Sequence, residues 1–154
     1  MKHLVCALSL AAITLACSPP TQNEQVPEAG PSLVGTWKLI SGTTIRGNDT
    51  TITDYTRNQE FIKIINKTHF SFISHDLNKG QDSTAMFSAG AGKYTLNDDT
   101  YIEQLDYFNH RDWEGHQFEF TVSIEQDTLI QTGLEAIPEL GVDQTIIEKY
   151  VRVK

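Results

Sequence analysis

The chain has 154 residues and carries 20 Asp and Glu against 12 Lys and Arg, a formal net charge of −8. That length favours one domain. The acidity excludes binding to a phosphate backbone, which needs clustered Lys and Arg, and electrostatic adhesion to anionic lipid.

Lys2 and His3 make a short basic start, and Leu4 to Leu15 follow as an apolar run without charge. A bilayer span needs about 20 apolar residues, so the run is too short to cross. Its length and flanks fit a secretory signal, and Ser18-Pro19-Pro20 ends any helix. Thr14-Leu15-Ala16-Cys17 resembles the lipobox of bacterial lipoproteins. Ala16 matches that pattern, whereas Thr14 and Leu15 depart from its commonest form. The resemblance implies that residues 1–16 are removed and that Cys17 is acylated, anchoring the chain to a membrane. Each buried methylene of such a chain contributes about 0.8 kcal/mol. Cys6 leaves with the leader, so Cys17 stands alone and no internal disulfide forms. Ser18, where related sorting signals carry Asp, implies the outer membrane.

Residues 18–32 hold four prolines among Gln, Asn, Glu and Thr. That composition cannot offset the entropy of ordering and reads as a flexible tether. Partly extended, it reaches at most about 45 Å.

The folded domain is expected over 33–154, built from short β-rich runs between turn clusters. Val34 to Ser41 is the first run, followed by a polar loop, Gly47 to Asp54. Glu60 to Ile65 and His69 to Ser74 pair across Asn66-Lys67-Thr68 as a tight hairpin. After the polar loop Asp76 to Asp82, Gly90-Ala91-Gly92 leads into Lys93 to Leu96, and Asn97-Asp98-Asp99 turns into Tyr101 to Phe108. Asn109 to Gly115 is a loop carrying Trp113. Phe118, Phe120, Val122 and Ile124 then alternate with Glu119, Thr121 and Ser123, the pattern of a half-buried antiparallel strand. Thr128 to Thr132, a loop from Glu135 to Asp143, and Thr145 to Val153 complete the series. The expected fold is all-β, with about eight strands in an antiparallel up-and-down barrel or a sandwich. A barrel of that size encloses side chains or one small ligand.

Leu33 to Leu39, with Gly35-Thr36-Trp37, resembles the lipocalin opening, and Glu148 to Arg152 resembles the closing strand of the same superfamily. Between them Lys63-Ile64-Ile65, Thr68 to Phe72, Gly92 to Leu96 and Thr100 to Glu103 follow in the order of the small lipocalin-like lipoproteins of Gram-negative bacteria. The resemblance implies a lipocalin-like barrel in which Gly35, Trp37 and Arg152 plug one end. Guanidinium over indole would give a cation–π contact of about 0.5–2 kcal/mol. That family has no established catalytic residues, so none is carried over.

On the run Tyr101 to Phe108, one face holds Tyr101, Glu103, Leu105 and Tyr107. Facing a lumen, Glu103 would orient a ligand between Tyr101 and Tyr107. Otherwise it is solvated or pairs with a neighbouring Lys or Arg. His69 shares a face with Ser71 and Ile73 and is a further candidate for the lumen, or a satisfied structural group. His75, His110 and His116 lack the tight spacing of zinc ligands. No nucleophile elbow or phosphate loop is present, Gly90-x-Gly92 being followed by neither Lys-Ser/Thr nor a helix. The expected function is therefore non-enzymatic, without cofactor, metal or nucleic acid: a barrel holding a small hydrophobic or amphipathic ligand. The alternative is an interaction or inhibitor module with a filled barrel, gripping a protein through its loops with Trp113 as anchor.

Overall fold

The computed structural model describes residues 32–154. The expected leader, Cys17 and the tether up to residue 31 lie outside them. Nine antiparallel strands run through the described residues: β1 (Gly35–Arg46), β2 (Asp49–Asp54), β3 (Gln59–Ile65), β4 (His69–Asp76), β5 (Phe87–Asn97), β6 (Thr100–Phe108), β7 (Gln117–Glu125), β8 (Thr128–Ile137) and β9 (Val142–Arg152). From β3 to β9 each strand pairs with the next, and β9 returns to β1, from Trp37 opposite Arg152 to Ile45 opposite Thr145. The sheet is thus a closed antiparallel barrel.

The count of nine reduces to eight staves because β2 and β3 lie end to end on one edge of β1. Arg46 to Ser41 pair with Asp49 to Asp54, and Lys38 to Gly35 pair with Ile62 to Ile65. Closure removes most exposed strand borders, which would otherwise recruit other chains. Gly47-Asn48, Asp98-Asp99 and Gln126-Asp127 each connect neighbouring strands in two residues. Each opens on a left-handed residue, with φ of 57°, 55° and 54°, as tight hairpins matched to strand twist require.

Two expected loops are largely strand. Gly47 to Asp54 contains β2, because the long β1 offers it an edge to pair with. Glu135 to Asp143 shrinks to a 3-10 turn over Pro138–Leu140, since β8 runs on to Ile137 and β9 begins at Val142.

Alternation sends one side chain in two inward. Trp37, Leu39, Ile65, Phe70, Tyr101, Leu129 and Tyr150 are all at most 2 % exposed and fill the half of the barrel where β1 starts and β9 ends. Each contributes about 1.5–3 kcal/mol by leaving water. Over that end Arg152 Cζ stands 4.0 Å from the centre of the Trp37 ring. Its Nη1 donates to Val34 O at 3.0 Å and its Nη2 to Ser32 O at 2.5 Å. Trp37 Nε1 donates to Leu33 O at 2.8 Å. Gly35 leaves room for the guanidinium: a Cβ there would collide with Arg152 Nη1.

Candidate functional site

The other half of the barrel is hollow. A cavity of about 390 Å³ opens between strands β3 to β9, within the ~300–1,000 Å³ typical of small-molecule pockets. Phe61, Phe72, Phe108, Trp113 and Phe120 give it aromatic walls, and Lys63, Glu103, Gln131, Glu135 and Glu148 give it polar groups. Phe61 stacks on Phe72 with centroids 5.6 Å apart, and Phe108 meets Phe72 edge-on at 5.5 Å. Glycines make this space. A Cβ at Gly90 would strike the Phe72 ring, and one at Gly133 would strike the Glu119 carbonyl and Phe120.

The polar groups centre on Lys63, only 3 % exposed. Its Nζ lies 2.5 Å from Glu103 Oε1 and donates to Gln131 Oε1 at 2.8 Å. The rings of Phe70, Tyr101 and Tyr150 surround it at 5.4–5.8 Å. The Glu103 contact is an ion pair rather than an aligned hydrogen bond, and the wholly buried Tyr101 hydroxyl has no aligned partner either. Burial, then the charge of Glu103, pushes the Tyr101 phenol far up.

Two more carboxylates share the lumen. Glu148 accepts from Tyr150 Oη at 2.6 Å, and Glu135 accepts from Gln144 Nε2 at 2.6 Å. Gln144 is itself held by Arg46 Nε at 2.7 Å. Burial raises Glu135 to about 7, the Gln144 bond working against it and the Glu148 charge with it. Burial likewise raises Glu148, against the pull of Lys63. One ammonium therefore faces three carboxylates.

The sequence candidates distribute unevenly around this site. Tyr101 and Glu103 point inward, and Glu103 meets Lys63, so lumen placement and pairing with a lysine both hold for it. Tyr107 does not join them; it is 69 % exposed. A β-bulge opposite Ala91 and Gly92 pairs Leu105 with Gly92 and Tyr107 with Ala91, leaving Asp106 as an extra residue. Inward pointing passes from Leu105 to Phe108, and Tyr107 turns out. His69 is also corrected: Phe70 and Phe72 take the interior, so His69 faces outward, its Nδ1 2.7 Å from Thr68 Oγ1. Trp113, the expected exposed anchor, is half-buried against Phe108 and Phe118, at 6.0 and 5.9 Å. His75, His110 and His116 are engaged separately, with Asp76 O, the Phe108 ring and Glu139.

Lys63, Gln131, Glu135 and Glu148 escaped the sequence reading. Their signal is alternation: Lys63 stands between Phe61 and Ile65, Gln131 between Leu129 and Gly133, Glu135 between Gly133 and Ile137, and Glu148 between Ile146 and Tyr150. Each is a polar residue on an otherwise inward face.

A larger hollow of about 860 Å³ lies outside the barrel, between 54–59 and 76–86. Its carboxylates are occupied by their own loops: Asp76 accepts from Gly80 and Met86 N–H, Asp82 from Thr84, and Asp54 from Thr56. The lumen, with its apolar walls and polar floor, has the chemistry of a binding site.

No family model and no curated protein matches the chain. Among solved structures it is similar to an uncharacterized protein from Bacteroides eggerthii DSM 20697, at 14% identity and a TM-score of 0.44, over 77% of this chain and 100% of that one.

Proposed function

We propose that the protein is a non-catalytic binding module whose barrel holds one small amphipathic molecule in its lumen. The observation that carries this reading is the cavity of about 390 Å³ beyond the packed half of the barrel. Aromatic walls supply apolar area, while the buried polar groups fix orientation. Native mass spectrometry of the full chain purified from its own host tests the reading. A non-covalent adduct of small-molecule mass is expected. Apo mass alone, together with no binding across a panel of lipophilic dyes, would sink it.

In the same reading the domain is carried at the envelope, at the outer membrane, by acyl chains on Cys17, in keeping with a lipocalin-like lipoprotein. The support is the apolar run Leu4 to Leu15 ending at Ala16-Cys17. Metabolic labelling with an alkyne fatty acid should mark the wild type and not Cys17→Ser. Equal labelling of both would end the anchor proposal.

A further inference from the structure

The lumen is unbalanced in charge. Lys63 is engaged by Glu103 and Gln131, which leaves Glu135 and Glu148 without a cation in direct contact. Each accepts one protein hydrogen bond, through Oε2, among the described residues. Neither Oε1 has a protein donor there. The cavity is polar at its floor as well: Glu103, whose side chain is 9% exposed, lines it, and its Oε1 meets Lys63 as an ion pair without an aligned hydrogen bond.

We infer that the lumen selects an amphipathic amine, its ammonium held by Glu135 and Glu148 and its apolar body laid against Phe61, Phe72, Phe108 and Trp113. This rests on the reading that the lumen holds a ligand, and adds the class of that ligand. An ammonium would supply a donor to the Oε1 atoms of both carboxylates, and charge-assisted bonds of that kind are stronger than neutral ones. The aromatic faces attract a cation further. An anionic amphiphile would instead bring another negative charge beside carboxylates that already repel one another, and would find Lys63 occupied. The upward shift of Glu135 and Glu148 is in keeping with this: partial burial disfavours their charged form until a cation compensates it.

Three probes with a common phenyl body test this on the full chain: 2-phenylethylamine, 3-phenylpropanol and 3-phenylpropanoate, followed by quenching of tryptophan fluorescence and by calorimetry. The amine is expected to bind roughly tenfold or more tighter than the alcohol, as charge-assisted hydrogen bonds allow, with the carboxylate weakest. The Glu135→Gln/Glu148→Gln variant should lose that preference, the ratio of amine to alcohol affinity falling to about one. Glu135→Gln alone, checked by circular dichroism, should lose part of it and serves should the double variant not fold. Equal affinity for amine and alcohol would overturn the inference and leave the ligand-binding reading standing, as would preference for the carboxylate. Failure of all three probes, with only apo mass from the host, would remove both.

Discussion

Lys63 Nζ and Glu103 Oε1 stand 2.5 Å apart although β3 and β6 share no ladder. The pair ties two walls of the barrel across its interior. Removing one partner of a buried ion pair leaves an uncompensated charge and costs about 3–5 kcal/mol, whereas apolar replacement of both is often neutral. Lys63→Met should therefore lower the urea unfolding midpoint strongly, and Lys63→Met/Glu103→Leu should recover most of the loss. A double variant no more stable than Lys63→Met would show that the pair does not act as a unit.

Arg152 closes the packed end through one ring and two carbonyls. Arg152→Ala should cost about 2 kcal/mol, from a cation–π contact and charge-assisted hydrogen bonds lost together. Arg152→Lys keeps the charge without the planar fork and should recover less than half. Thermal unfolding followed by the near-ultraviolet signal of Trp37 distinguishes these. An unchanged midpoint in Arg152→Ala would remove the plug from the account of stability.

The lumen carboxylates make stability depend on pH in a defined direction. Burial raises Glu135 from its ordinary 4.5 to about 7. Between those values the folded chain holds a proton that the unfolded chain has released. The stability from this group is thus full below pH 4.5, falls as pH rises, and is gone above about 7. Glu148, also raised by burial, acts in the same sense. So does His116, raised by its bond to Glu139, whose contribution is full below 6.5 and lost as pH climbs through its folded value. The wild type minus Glu135→Gln difference isolates the first group. Between pH 5 and pH 8 the midpoint of Glu135→Gln should gain on that of the wild type. Parallel profiles would contradict the assignment.

The bulge at Asp106 predicts opposite effects at adjacent positions. Tyr107→Ala removes an exposed ring and should stay within about 0.5 kcal/mol of the wild type. Phe108→Ala removes a ring packed on Phe72 and Trp113 and should cost about 3 kcal/mol. Chemical denaturation of the two variants reads the register directly, and a larger loss at Tyr107 would mean that β6 is set the other way.

Most strands were legible because the period-two pattern is strong where aromatic and β-branched residues cluster, as in Phe118 to Ile124. Barrel closure was legible less directly, from strand number and from the resemblance of the two ends. Tyr107 departs from the alternation of its strand because a bulge shifts it by one residue, and the partner strand carries Gly92 there, where a Cβ would strike the Gln104 carbonyl. β2 was missed because Asp49, Thr50, Thr51 and Thr53 carry no apolar face; its partner, not its composition, makes it a strand. The lumen's polar residues were passed over because a lysine or glutamate in a strand is ordinarily solvated. Only neighbours from several strands decide otherwise.

The junction between β1 and β9 joins residues as distant in the chain as Trp37 and Arg152. No shorter stretch can complete the ring, so folding must bring these distant segments together, at a high entropic cost for loop closure. A chain ending before β9 would expose two ribbons at once, β1 and β8, each offering unpaired amides to its neighbours. Premature truncation there should produce aggregates rather than a smaller barrel.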